Sequence, residues 1–141
     1  MQNTSNKSDS DTNLDIVKAF HKMWDAFPFV VMLLKKNRSI IAVNKLGRDL
    51  GIQPGMKCYE LTGLNESHKT CLANAALAEG ITKRSVAYFE PFKQVLDTYW
   101  IPVFGEKDIY IHFNIDITQY AKPELFPSSI SKEASFLSIT V

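Results

Sequence analysis

Between Ile109 and Thr118 the sequence alternates without a break. Ile109, Ile111, Phe113, Ile115 and Ile117 are apolar, and Tyr110, His112, Asn114, Asp116 and Thr118 stand between them. A period of two puts the first set on one face of a pleated strand and the second on the other. A helix would scatter both sets around its axis. A strand this regular needs partners for its backbone donors and acceptors, so the chain must build a sheet around it.

Two aromatic and β-branched runs precede it, residues 82–92 and 97–104, with a polar Lys93-Gln94 region between them. Pro102 lies in the second and removes a ladder donor, which predicts an edge position or a bulge there. Nearer the N-terminus, residues 29–34 (FVVMLL) read as a buried strand and residues 39–44 (SIIAVN) as another, with 35–38 (KKNR) as the turn of a hairpin. The period then changes. Residues 45–51 suit a short helix stopped by Gly51, Pro54-Gly55 a turn, 56–64 another short helical piece, and 69–79 an Ala-rich helix stopped by Gly80. Ahead of the first strand, Leu14, Val17, Phe20, Trp24 and Phe27 recur at helical spacing. Thr12 suits the cap of that helix, Asp15 the capping-box position, and Pro28 ends it. The order is helix, two strands, a helical block and three strands. It predicts an α+β fold: a five-stranded antiparallel sheet with short helices on one face and an N-terminal helix. The βαβ alternation of a doubly wound nucleotide fold is missing, as are internal repeats and a Gly-rich phosphate loop.

Composition narrows the function classes. The chain has 141 residues, room for one domain with tails, and a net charge of +1 from 16 basic and 15 acidic residues. That balance supplies no long-range field for direct nucleic-acid or anionic-membrane binding. The longest apolar run, residues 27–34, contains Pro28 and is too short to span a bilayer. Residues 1–11 are polar, carry no secretory core and read as a disordered lead-in. Two cysteines do not make a disulfide scaffold. The reading is a soluble, cytoplasmic protein. No nucleophile elbow, His-Glu-x-x-His motif or paired-carboxylate string stands out, so an enzyme is not expected.

Several strings, in order, resemble the PAS family of sensory domains. The second strand Ser39-Ile40-Ile41-Ala42-Val43-Asn44 is similar to the family's "xIxxxN". Leu50-Gly51 and Pro54-Gly55-Met56-Lys57-Cys58-Tyr59-Glu60-Leu61 match its short helices. Residues 73–80 match the longer helix ending in Gly, and Asp116-Ile117-Thr118-Gln119 the closing "DIT" plus a polar residue. The resemblance covers residues 14–122, nearly all of an expected sensor domain at 12–122. It implies a signalling module that binds a small molecule or partner and relays its state through Asp116 and Thr118 at the end of the last strand. It also implies a homodimer through Phe20, Trp24 and Phe27, and a following output domain such as a kinase, a diguanylate cyclase or a DNA-binding region. A ligand-free interaction and dimerisation domain is the alternative. Residues 123–141 are then a tail or the start of a linker, and their apolar end (SFLSITV) either adds a strand or continues into that output domain.

Cys58, His68 and Cys71 are the only constellation with metal-ligand chemistry, and their wide spacing favours buried or free thiols over zinc. The resemblance offers a haem reading with His68 as the ligand on the long helix, without the family's supporting pattern around it. Gly55-Met56-Lys57-Cys58 resembles the flavin-binding "GxNC", but Lys57 replaces the Asn and the polar anchors are missing. No cofactor is therefore expected. A pocket for a small ligand is drawn from Met56, Cys58, Tyr59, Leu61, Leu72, Ala75 and Ala76, facing Ile111 and Phe113 of the last strand. Tyr99, His112 and Asn114 are candidate polar groups, although the last two fall on the other face of that strand. A solid core is the alternative.

Overall fold

The computed structural model describes residues 9–128. Helix α1 (Asp9–Trp24) leads into β1 (Val31–Lys35) and β2 (Ile40–Val43). Then come α2 (Lys45–Asp49), a 3₁₀ turn at Cys58–Thr62 and α3 (Ala73–Glu79). Strands β3 (Lys83–Phe89), β4 (Gln94–Pro102) and β5 (Ile109–Asp116) complete one antiparallel sheet in the order β2-β1-β5-β4-β3. The five-stranded α+β architecture expected from the sequence is the one observed.

The alternating strand is central, flanked by β1 and β4, and both its faces are covered. On one side Phe20, Val31, Leu33, Ala42, Ile109 and Phe113 form a core under α1. On the other, Met32, Leu34, Ile40, Val43, Trp100 and Tyr110 pack with Ala73 and Ala76 of α3. This double cover explains why residues 31–34 are apolar without alternation, as a strand buried on both faces must be. A bulge shifts the β1–β2 register between Leu33 and Leu34, so Ile40 and Val43, three residues apart, share the α3 face.

Asn44, wholly buried, fixes the end of that hairpin. Its Oδ1 accepts from the N–H groups of Val31 (3.1 Å) and Gly47 (3.3 Å), capping α2. Its Nδ2 donates to the carbonyls of Phe27 (3.2 Å) and Phe29 (2.8 Å). One side chain thereby closes the α1–β1 connection, the hairpin and the start of α2. Gly47 is required beside it: a Cβ there would lie 2.2 Å from Val43 Cγ2. Arg48 adds a bidentate pair to Asp25 (3.0 and 3.1 Å), tying α2 to the end of α1, and holds the Asp25 carboxyl down at about 2.

Some sequence expectations are corrected. Helix α1 begins at Asp9, inside the expected lead-in. The long helix starts only at Ala73, because residues 69–72 form a turn. Pro102 does not mark an edge: β4 is an interior strand. Pairing with β3 ends at Trp100, so the missing N–H at Pro102 lies beyond that ladder. Of the expected tail, residues 123–128 return to the domain, where Phe126 packs with Val95 and Ala121. Residues 1–8 and the apolar run 135–141 lie outside the described residues.

Candidate functional site

Between the α3 face of the sheet and the 58–72 segment lies a cavity of about 260 Å³. Its floor comes from alternate residues of the strands, Met32, Leu96, Thr98, Trp100, Tyr110, His112 and Asn114. Its wall comes from the Cys58–Thr62 turn and the loop before α3, and Phe89 and Phe92 lie toward the end of β3. The segment is loop because residues 63–72 combine Gly63, Asn65, Ser67 and Thr70, which favour turns over helix. That looseness leaves room which a regular helix packed on the sheet would fill.

The structure brings only part of the expected pocket together. Cys58 and Leu61 line the cavity. Met56, Leu72 and Ala76 pack into the adjoining core instead, and Tyr59 lines a shallow outer crevice. Ala75 is half-buried on α3 and is not among the lining residues. Ile111, Phe113 and Tyr99 face the opposite way, into the α1 core. The face was inverted because the alternation of β5 separates two sides without saying which is covered by what. The aromatics of α1 claim the isoleucine side, and the polar side, Tyr110, His112 and Asn114, becomes the cavity floor. The sequence offers His112 and Asn114 as polar candidates but sets them on the face away from the pocket; a central strand has no solvent face for such a set.

The proposed dimer residues also have a partner already. Phe20 is 2% exposed, and Phe113 lies 5.8 Å from the Trp24 ring and 5.1 Å from the Phe27 ring. All three cap their own sheet.

His112 stacks on Trp100 (5.2 Å between rings) and its Nδ1–H donates to the carbonyl of Tyr99 at 3.0 Å. Burial, reinforced by the neighbouring His68 and Arg38, lowers its pKa to about 4 against the opposing hydrogen bond. The imidazole is therefore neutral at pH 7. Thr98 Oγ1 donates to Asn114 Oδ1 at 2.7 Å, an ordered polar pair on the same floor.

Arg38 stands at the cavity wall and is 6% exposed. It occupies the hairpin turn with φ +75°, a region that favours glycine. Its Nη1 donates to the carbonyl of Lys36 and to Asn74 Oδ1 (3.2 Å), and its buried Nε has no partner. No ion pair among the described residues includes it. Burying a cation without a counter-charge costs on the order of several kcal/mol.

The cysteines are both free and half-buried. Burial, then proximity to Cys71, pushes the Cys58 thiol up to about 11, so it stays a neutral thiol and a poor nucleophile. No group of three His, Cys, Asp or Glu side chains among the described residues has metal-site geometry. His68 lies in the loop before α3, where its Nε2 is bonded to Thr62 Oγ1 (2.9 Å) and its ring meets Phe89 edge-on. With that nitrogen engaged and the space so small, these residues do not fit a haem.

At the end of β5, Asp116 Oδ1 accepts from both the N–H (3.0 Å) and the hydroxyl (2.5 Å) of Thr118. The Thr118 hydroxyl in turn accepts from the Val95 N–H at 3.0 Å, and Gln94 Nε2 donates to Asp116 Oδ2 at 3.0 Å. Asp116 and Thr118 thus clamp the exit of β5 to the entry of β4.

No family model matches the sequence, and no curated protein does. Solved structures share the fold. A domain of an HTR-like protein from Haloarcula marismortui aligns with a TM-score of 0.51 at 21% identity, over 64% of this chain and 98% of that one. A sensory box sensor histidine kinase from Vibrio cholerae aligns with a TM-score of 0.52 at 15% identity, over 80% of this chain and 98% of that one.

Proposed function

We propose, on the premise of a PAS fold, that the chain is a cytoplasmic sensory module that binds a small molecule between its sheet and the 58–72 segment. It is read as a binding domain and not as an enzyme. The observation that carries this reading is the cavity itself, apolar in most of its lining but furnished with Thr98, His112 and Asn114. Its volume, about 260 Å³, suits a small ligand, at the lower end of the roughly 300–1,000 Å³ of ligand pockets. Occupancy would be relayed along β4 and β5 to the Asp116–Thr118 clamp, and from there to an output domain. No helix among the described residues is long and apolar enough to cross a membrane. A homodimer that uses the partly exposed Trp24 and Phe27 belongs to the same reading.

The test is native mass spectrometry of the purified protein, together with saturation-transfer NMR using the neutral probe indole. A retained small molecule, or an indole signal abolished by Leu61→Trp, is the expected result. A protein that retains nothing and ignores indole would leave the cavity without a sensory role.

A further inference from the structure

We propose that the cavity selects an organic monocarboxylate with a small apolar body, and that Arg38 is its counter-charge. This rests on the ligand-binding reading above and names the class of ligand.

Three observations converge on it. The first is charge: among the described residues no Asp or Glu lines the cavity, and Arg38 is the only lysine or arginine that does. The second is satisfaction. Arginine offers five N–H donors in a planar fork, and the described side-chain bonds of Arg38 all leave from Nη1. The Nε is buried without a partner and no described bond leaves Nη2, so the fork keeps donors that the described residues do not meet. A carboxylate engaging the Nε–Nη2 edge with two parallel hydrogen bonds has to displace the atoms that cover Nε. The third is backbone cost. At φ +75° a glycine or asparagine would sit with less strain, yet an arginine is held there with only 6% of its surface exposed.

The rest of the lining defines the body of the ligand. Met32, Leu61, Leu96, Trp100 and Phe89 supply an apolar enclosure. His112, neutral and bonded through Nδ1 to the sheet, adds an uncharged polar group and no second cation. A dianion would therefore leave its second charge without a cation among the described lining residues, whereas one carboxylate on an apolar body meets Arg38 and the apolar side chains. Arg38 also borders the outer crevice that holds Glu66 and Lys36. Glu66 makes no ion pair with it, so the competing reading is an internal pair formed when the crevice closes.

The experiment compares isovalerate, benzoate and phenylacetate with their primary amides, by thermal shift and calorimetric titration on the full chain. At least one acid is expected to bind about tenfold or more tightly than its amide, the usual strength of a charge-assisted hydrogen bond. Arg38→Met should erase that preference, and Arg38→Lys should restore it in part. Should Arg38→Met fail to fold, the Arg38 Nε–H resonance of the wild-type protein decides, since it must shift with acid and not with amide. Equal binding of acids and amides, or no binding of any acid, overturns the proposal. Binding of the amides or of indole alone would do so while leaving the sensory cavity intact. Glu66→Gln destabilising the protein as much as Arg38→Met, without acid binding, would assign the charge to an internal ion pair.

Discussion

At the scale of single residues, the fold depends most on a side chain that the sequence marks only as the end of a strand. Asn44 satisfies two N–H groups and two carbonyls from three different segments. Replacing it by alanine leaves these groups buried and unpaired, each costing about 1–3 kcal/mol. Asn44→Ala should therefore lower unfolding free energy by about 3 kcal/mol or more in urea titration. Asn44→Asp keeps the acceptor but sets a buried carboxylate oxygen against the Phe27 and Phe29 carbonyls, and should be destabilised at pH 7 at least as much as the alanine variant. Equal stability of all three would show that the hairpin holds itself. The "xIxxxN" string made Asn44 visible in the sequence, but its four bonds depend on the chain passing Phe27 and Phe29 at the same point. Arg38 shows the opposite limit. In sequence it is one cation in a polar KKNR turn, and only the left-handed turn geometry sends it inward.

At the scale of elements, α1 is a lid fastened to its own sheet. Phe20, Trp24 and Phe27 reach the Phe113 side of β5, and the Asp25–Arg48 pair anchors the end. Trp24→Ala should then cost roughly 3 kcal/mol of stability through lost packing, with the sedimentation mass of the folded protein unchanged. A change of oligomeric mass without loss of stability would instead put that face between subunits. Periodicity predicted this helix and β5, because spacing of 3.6 or 2 survives in the sequence whatever the partners are, whereas β1 to β4 are legible from apolar, β-branched and aromatic runs. It did not predict where the helix before Gly80 begins. Lys69 and the alanines after it favour helix, but Thr70 and Cys71 stand at its expected start, and the chain instead turns there with Cys71 N–H bonded to the carbonyl of His68. His68 consequently left the helix that would have presented it as a ligand. Nor does a period of two say which face α1 will choose, which is why Ile111 and Phe113 were assigned to the cavity and His112 and Asn114 were set against it.

At the scale of the whole molecule, the enclosed floor gives stability a pH dependence. The pKa of His112 is about 4 in the fold, against 6.5 for the model imidazole. Between those values the unfolded chain binds the extra proton and the folded one does not, so acid favours unfolding. The contribution is complete above about pH 6.5 and is lost as pH falls toward 4, amounting to up to about 3 kcal/mol. Urea midpoints measured from pH 7 to 5 should fall in the wild type and flatten in His112→Asn, above the range where carboxylates dominate. Parallel slopes in the two proteins would mean the imidazole ionises freely in the fold.

The sheet also divides the two tryptophans of the chain. Trp24 lies under α1 and Trp100 on the cavity floor against His112. Each face of the molecule therefore carries its own intrinsic fluorophore. Tyr99 joins them, since its carbonyl accepts the hydrogen bond from His112 Nδ1–H while its ring stacks on Phe113 beneath α1 at 5.1 Å. Light emitted from one indole reads the interior where a ligand would sit. Light from the other reads the packing of α1 on the opposite face, so the two faces can be followed separately in one unlabelled protein.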